Sequence, residues 1–289
     1  MCRFKSAICL KDRVFVPDYD SHNKMLEELH IKDDFAHAGK VFVRVELVPE
    51  DGDKTTDVDE WKLNVDQDVL PDWWDKNDYL PRIKAAVKAW CDIHILRNGA
   101  HIVRDGIWYV YGSANVTAYG SARVTAYDSA NVTACDSASV TAYGSANVTA
   151  YDNACVTAFD NASVKAHNSA NVTAYDSASV KAHNSANVTA CDRASVTACD
   201  RANVMACSSA SVAACDSASV TACDSASVTA YDSASVRAYD SASVTVYDNA
   251  FVILPKHFQT LNPVLLYDEA ICINHKDHTI QSPVKWEQK

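Results

Sequence analysis

The stretch that decides the fold begins with Tyr111-Gly-Ser-Ala-Asn-Val-Thr-Ala118 and ends with Tyr247-Asp-Asn-Ala-Phe-Val-Ile-Leu254. The residues between 111 and 254 are eighteen copies of this eight-residue phrase. Position 4 is Ala and position 6 is Val in every copy, whereas positions 5 and 7 are polar in nearly all. Alternation with a period of two is typical of a half-buried strand, and a helix would need apolar residues three and four apart. Each copy therefore predicts a five-residue strand that runs from position 5 to position 1 of the next copy.

The other positions of the phrase predict a tight corner. Position 2 is mostly Asp, Gly or Asn, and position 3 is mostly Ser, which are turn-forming residues. We expect an Asx-type corner, in which the carboxylate accepts a hydrogen bond from the backbone N–H two residues on. Calcium binding by the rows of Asp, or imitation of a phosphate backbone, are the alternatives that the sequence leaves open.

Substitutions within the phrase recur every sixteen residues, as in Asn115, Asn131 and Asn147, or in His167 and His183. Like residues stack on like residues where parallel strands are in register. Recent duplication of a sixteen-residue unit explains the same recurrence, and it leaves sixteen as the structural unit. The predicted fold is mostly β, a flattened two-sheet parallel β-solenoid of 16 residues per coil and about nine coils.

The flanking segments predict an α+β N-terminal domain at 1–97, the solenoid at 98–254 and a C-terminal cap at 255–289. Parallel strands leave open edges at both ends of a solenoid, so we expect the flanks to cap them. Before the solenoid we expect a hairpin at 4–17, a short helix capped by Ser21, and strands at 41–47 and 61–65 joined by a turn at 51–53. A helix near 79–95 should start at Asp78 and Pro81, and one of its faces carries Leu80, Ile83, Val87, Trp90 and His94. Residues 100–110 are strand-like and should lead into the first coil, and a hairpin is expected at 271–280.

Composition excludes several classes of function. The net charge of −11 disfavours direct binding to nucleic acid and to anionic membranes. The sequence shows no export signal and no apolar run long enough to span a membrane. Eleven cysteines, many of them inside the repeat, are not a disulfide framework. We therefore expect reduced thiols and a cytoplasmic location.

The sequence indicates no catalytic residue, no metal site and no cofactor. No nucleophile with a base, no paired carboxylates and no phosphate loop occur at a telling spacing. Stacked cysteines (Cys191, Cys207 and Cys223; Cys199 and Cys215) offer a line of sulfurs, whereas zinc needs tetrahedral convergence. An undetected activity within residues 1–97 is left open.

Several segments carry a family resemblance. Val14-Phe-Val-Pro-Asp-Tyr-Asp20, Met25-Leu-Glu-Glu-Leu29 and Val65-Asp-Gln-Asp-Val-Leu-Pro-Asp-Trp73 resemble the opening domain of uncharacterised proteins from gut-type bacteria and their phages. The octapeptide resembles β-solenoid repeats attached to such openings. The resemblance implies this architecture and a bacterial host cell, and it assigns no role to any residue.

The function that the sequence favours is a non-catalytic protein-binding or scaffold protein that presents flat polar solenoid faces to an unknown protein partner. Tyr supplies a large contact area at low entropic cost. A phage counter-defence protein that inhibits a host nuclease or nucleic-acid-binding factor is the first alternative, and an ice-binding protein with exposed Thr rows is the second. Self-association is left open. The candidate binding residues are Tyr111, Tyr127, Tyr143, Thr117, Thr133, Thr149, Asn115, Asn131, Asn147, Tyr231 and Tyr247.

Overall fold

The computed structural model describes residues 5–49, 57–255, 264–276 and 279–283. Contacts divide the chain into two compact units, Met1–Ile95 and Leu96–Lys289. The second unit is a parallel β-solenoid with sixteen-residue coils, which confirms the predicted fold class.

The first unit holds a four-stranded antiparallel sheet with the strand order β2-β1-β3-β4. A small apolar core of Ile8, Met25, Leu26 and Phe42 lies in this unit. Its elements are β1 (Lys5–Leu10), β2 (Val14–Phe15), α1 (His22–Glu28), α2 (Phe35–Ala38), β3 (Phe42–Val48), a 3-10 helix (Val58–Glu60), β4 (Lys62–Val65) and α3 (Lys76–His94).

The predicted N-terminal hairpin, the two longer strands and the two main helices are confirmed, with corrections at α3. The Ser21 hydroxyl accepts a hydrogen bond from the Lys24 N–H at 3.4 Å, as a helix cap should. Helix α3 begins earlier than predicted because the Asp75 carboxylate caps it, accepting from the Asn77 N–H at 2.8 Å. Pro81 consequently lies inside the helix.

Two short elements of the first unit were not predicted, and one face of α3 differs from the prediction. Neither α2 nor the 3-10 helix is long enough to show a period in the sequence. On α3, Tyr79 is buried where the prediction placed Leu80. The predicted turn at 51–53 lies outside the described residues.

The solenoid consists of short strands. Within the repeat, each strand covers positions 5 to 8 of its phrase and is four residues long, one fewer than predicted, although the position 1 N–H still donates to the preceding coil. The strands are β5 (Ile95–Leu96), β6 (Ala100–Val103) and β7 (Ile107–Val110), then β8 to β25 (Asn115–Ala118, Arg123–Ala126, Asn131–Ala134, Ser139–Ala142, Asn147–Ala150, Cys155–Ala158, Ser163–Ala166, Asn171–Ala174, Ser179–Ala182, Asn187–Ala190, Ser195–Ala198, Asn203–Ala206, Ser211–Ala214, Ser219–Ala222, Ser227–Ala230, Ser235–Ala238, Ser243–Val246 and Phe251–Leu254), and finally β26 (Val264–Leu266), β27 (Ile271–Asn274) and β28 (Thr279–Gln281).

Successive strands alternate between two sheets. Within the described ranges, the even-numbered strands β6 to β26 form an eleven-strand sheet, and the odd-numbered strands β5 to β27 with β28 form a thirteen-strand sheet. This gives about eleven turns, more than the nine predicted. The additional turns are β6–β7 and β26–β27, which pair in parallel with the repeat although they have lost its phrase. The predicted C-terminal hairpin is confirmed by the antiparallel pairing of β27 with β28.

The interior of the repeat contains almost nothing except Ala and Val. The Ala at position 4 is fully buried in every copy, and the Val at position 6 is at most 4% exposed. Parallel pairing places each Val opposite its equivalent one turn away, as for Val116, Val132 and Val148. A single Val contributes roughly 1.5 kcal/mol, so stability comes from the stacking of neighbouring turns.

The corners require a backbone conformation that few residues adopt. The non-glycine residues at position 2 have φ between 52° and 58°, in the left-handed region that Asn, Asp and Gly tolerate best. The Asx-type prediction is wrong about the hydrogen bond. Every position 2 carboxylate except that of Asp152 accepts from the backbone N–H of the residue sixteen earlier, as Asp160 does from Gly144 at 2.9 Å and Asp176 from Asp160 at 3.2 Å. Asp152 accepts instead from the side-chain amide of Asn168 at 3.1 Å. The corner side chains therefore tie successive turns together.

A charge inside the slot should break the solenoid. Val180 is 1% exposed, so a carboxylate in Val180→Asp has neither water nor a partner, and we expect a loss of about 3–5 kcal/mol in the free energy of unfolding. The adjacent Lys181→Asp places the same group on the exposed side of the same strand and should change stability by less than about 0.5 kcal/mol. Urea unfolding followed by circular dichroism measures both, and equal losses would contradict the arrangement.

The corner bond predicts an order among substitutions at Asp176. Asp176→Ala loses the bond from Asp160 and the tolerance for φ of 54°, and should cost about 1–2 kcal/mol. Asp176→Asn should stay close to the parent, because Asn184 occupies the same position and accepts from Asn168 at 3.4 Å. Thermal unfolding with and without millimolar calcium also tests the calcium alternative. If calcium raised the midpoint of thermal unfolding and Asp176→Asn abolished this rise, the Asp176 carboxylate would be a calcium ligand and not a structural acceptor.

Candidate binding surfaces on the solenoid

Nine of the eleven predicted binding residues lie together at one end of the repeat. Their strands β8, β10 and β12 are consecutive in the eleven-strand sheet. The register pairs Asn131 with Asn115 and Asn147, and it pairs the Thr residues in the same way. We call this surface the Asn–Thr patch; it comprises Asn115, Asn131, Asn147, Thr117, Thr133 and Thr149, with Tyr111, Tyr127 and Tyr143 at the corner before its strands.

The Asn side chains of the patch are exposed and held by their own turns. Asn115 donates from its amide to the Ser113 carbonyl at 3.3 Å, and Asn131 and Asn147 make the equivalent bond at 3.4 Å. Their Oδ1 atoms accept no hydrogen bond from the described residues. The patch therefore presents a row of ordered acceptors, one strand spacing of roughly 4.8 Å apart.

The Tyr side chains beside the patch form a stacked ladder. The ring centroids of Tyr111 and Tyr127 are 4.6 Å apart, and those of Tyr127 and Tyr143 are 5.4 Å apart. The ladder continues through Phe159 to Tyr175 with separations of 5.1 Å. Burial, and then the neighbouring Tyr143, raise the pKa of the Tyr127 hydroxyl, so this group stays neutral and can both donate and accept.

Tyr231 and Tyr247, the other two predicted residues, lie at the opposite corner. They follow strands of the eleven-strand sheet, whereas the first Tyr ladder follows strands of the thirteen-strand sheet. Their rings stack at 5.1 Å, and Tyr247 stacks on Tyr267 at 4.8 Å. The predicted residues therefore form two separate surfaces.

The thirteen-strand sheet carries a second polar surface that was not predicted from the sequence. A shallow trough of about 330 Å³ is lined there by Asn171, Asn187, Asn203 and Met205, among others. Here the amides bond each other, Asn187 to Asn171 at 3.3 Å and Asn203 to Asn187 at 3.4 Å. The recurrence of these Asn residues every sixteen positions could have been used to predict this surface from the sequence.

The Thr residues at position 7 form two rows because alternate copies belong to different sheets. On the eleven-strand sheet, Lys165 and Lys181 interrupt the row after three Thr residues. On the thirteen-strand sheet five Thr residues, Thr125, Thr141, Thr157, Thr173 and Thr189, stand in register before Met205.

The Cys and His ladders do not gather into a convincing metal site. Cys199, Cys215 and Asp216 approach one another, but burial, followed by bonding to Cys199, raises the pKa of Cys215 to about 12. Metals bind the thiolate, which this environment disfavours. His167 and His183 stack at 5.3 Å, and burial, then the charge of His183, lower the pKa of His167.

The first unit contains a buried cation that the sequence did not indicate. Lys5 is fully buried, and its Nζ donates to the Pro17 carbonyl at 2.6 Å and to Asp20 at 3.0 Å. The same group lies 4.2 Å from the ring centroid of Trp90. Burial lowers the Lys5 pKa, while Asp20 opposes this shift. A third bond, to the Tyr19 carbonyl at 3.4 Å, uses the last N–H donor of Lys5, so this side chain organises structure and is closed to a ligand.

Two further findings bear on the surroundings of these surfaces. Within the described part of the chain, no helix is long and apolar enough to cross a membrane. Comparison with protein-family models, curated proteins and solved structures finds no match to this chain.

Proposed function

We propose that this chain is a non-catalytic protein-binding or scaffold protein, and that the Asn–Thr patch with the adjoining Tyr ladder is its binding surface. The observation that carries the proposal is the in-register array of three identical strands with unused Asn acceptors. Such an array is flat and already ordered, so a partner that binds it loses little conformational entropy.

The chemistry of the patch favours a protein with a polar docking surface. Asn and Thr side chains offer hydrogen bonds without a net charge, and stacked Tyr rings add rigid contact area. Exposed corner carboxylates run beside the patch, as Asp128 and Asp136 do. They favour basic residues around the edge of the partner's footprint. Following the resemblance of the opening segments, we place the interaction in the cytoplasm of a bacterial cell.

A matched pair of variants tests the proposal. Thr133→Lys puts a long cation in the middle of the patch, and the fold accepts Lys at this position in Lys165 and Lys181. Thr141→Lys makes the same change on the other sheet. The partner is first captured from bacterial lysate with the parent chain, identified and purified, and its affinity for each variant is measured by calorimetry.

We expect Thr133→Lys to weaken binding at least tenfold, about 1.4 kcal/mol, and Thr141→Lys to leave it unchanged. Equal affinities would remove the patch from the binding surface. Sedimentation of the parent chain alone tests whether a second copy is the partner, since Thr133→Lys would then shift the monomer–oligomer equilibrium.

The counter-defence hypothesis is supported by the rows of exposed carboxylates and by the net charge of −11. It names a host nuclease or nucleic-acid-binding factor as the partner. Recovery of such a protein in the capture experiment, with loss of its activity on addition of the chain, would favour this alternative over a scaffold role.

Ice binding is supported only by the five-Thr row on the thirteen-strand sheet. The neighbouring position 5 row carries Arg123, Ser139, Cys155, Asn171 and Asn187, which destroys the regular surface that ice would need. We expect no thermal hysteresis from the purified chain at millimolar concentration. Hysteresis that Thr157→Lys abolishes would reverse this conclusion.

A further inference from the structure

A polar cluster lies in the first unit, between helix α1 and the central strand β3. Ser6 stands directly opposite Glu46 in the β1–β3 pair, and Glu46 stands opposite Asn64 in the β3–β4 pair. Residues opposite each other in antiparallel strands share one face of the sheet, with Cβ atoms roughly 4.5–5.5 Å apart. His22 of α1 and Asp66, just after β4, complete the cluster.

The hydrogen bonds of His22 leave one ring nitrogen without a proton in the neutral imidazole. Its Nε2 lies 3.2 Å from the carbonyl oxygen of Val45, which can only accept, so Nε2 carries the proton. Nδ1 then presents a lone pair, and it lies 3.2 Å from the Asp66 carboxylate. Two acceptors at this distance repel each other unless a cation lies between them.

Glu46 also has no cationic partner among the described residues. It is 5% exposed, and its one hydrogen-bond donor among the described residues is the Asn64 amide, at 3.4 Å. A buried carboxylate with so little support is costly. Beside it, the buried Ser6 hydroxyl has no hydrogen-bond partner among the described residues. The cluster thus holds an excess of acceptors and an unused hydroxyl in a largely dry site.

We propose that His22 Nδ1 and the carboxylates of Glu46 and Asp66 bind one divalent first-row transition metal ion. Their ligand atoms lie within 4.8 Å of one another. Ligands bound at about 2.1 Å in tetrahedral geometry are separated by about 3.4 Å. The 3.2 Å between His22 and Asp66 matches that spacing.

The surroundings of the site match those of metal centres. A ligating His usually donates its other ring N–H to a carboxylate or a backbone carbonyl, as His22 does to Val45. The side chain of Asp66 is 56% exposed, which gives the ion a route from solvent. The Ser6 hydroxyl or a water molecule completes the coordination. One imidazole and two carboxylates suit zinc or manganese, and none of the described cysteines belongs to the group, so no thiolate from them selects a softer ion.

The alternative is that His22 is an imidazolium that bridges the two carboxylates without a metal. Titration of the full-length chain with Mn²⁺ after removal of metals by chelation separates the two cases. Mn²⁺ binds weakly to cysteine sulfurs such as those of the solenoid, and loss of the electron paramagnetic resonance signal of the free ion reports its binding. A parallel titration with Co²⁺ reports the ligand type, because thiolate ligands add an intense charge-transfer absorption.

A matched pair of exposed residues supplies the variants. Asp66→Asn removes one ligand at the surface and should leave the fold intact, whereas Asp68→Asn removes an exposed carboxylate two residues away. Circular dichroism confirms that both variants are folded before they are titrated.

We expect one Mn²⁺ per parent chain, an affinity more than about tenfold weaker in Asp66→Asn, and no change in Asp68→Asn. The Co²⁺ complex should show no thiolate absorption. The proposal is overturned if the parent chain shows no saturable Mn²⁺ binding, if both variants bind as the parent does, or if both lose affinity equally. The proposal is also overturned if the Co²⁺ that binds the parent chain, and that is lost in Asp66→Asn, shows the absorption of thiolate ligands.

Discussion

The narrow slot between the two sheets is the constraint on which the rest of the solenoid depends. Position 4 is fully buried Ala and position 6 is buried Val in every copy, so each turn must follow the same path as the one before it. A larger side chain would push the sheets apart, and a shorter one would leave a void that neighbours could not fill. The in-register pairing of the strands follows from this sameness, and stability accumulates from one turn to the next.

The corners satisfy a second constraint, which explains why the residues at position 2 vary within a narrow set. The backbone turns through a left-handed residue, and its N–H would point at the next turn without a partner if the side chain there could not accept. Asp and Asn meet both needs, as Asp200 does for Asn184 at 2.9 Å. Gly meets only the first, and it occurs at Gly112, Gly120 and Gly144, near the start of the repeat. The carboxylates are therefore part of the fold, and their use as ligands would compete with it.

The sequence predicted the repeat well because every structural requirement recurs with one period. The prediction was less accurate outside the repeat. The turns at 100–110 and 264–274 keep the parallel pairing of their strands but not the eight-residue phrase, so the predicted number of coils was too low. In the first unit the important contacts join residues far apart in the chain, such as Lys5 with Trp90 and His22 with Asp66. No pattern of spacing in the sequence predicts such contacts, and for that reason the polar cluster around Glu46 was not predicted.

The side chains on the outer faces of the solenoid differ from copy to copy in ways that the packing of the core does not require. Positions 5 and 7 point away from the slot, so packing leaves their identity free, and duplication alone would copy any residue there. The two Asn rows nevertheless differ in how they bond. Asn187 and Asn203 donate to the previous Asn and use its oxygen, whereas Asn131 and Asn147 donate to their own turns and leave a row of acceptors facing solvent. A row that satisfies itself gains little from a partner. The row with unused acceptors, bordered by stacked Tyr rings, can still form hydrogen bonds, and for this reason we propose the Asn–Thr patch rather than the trough as the binding surface.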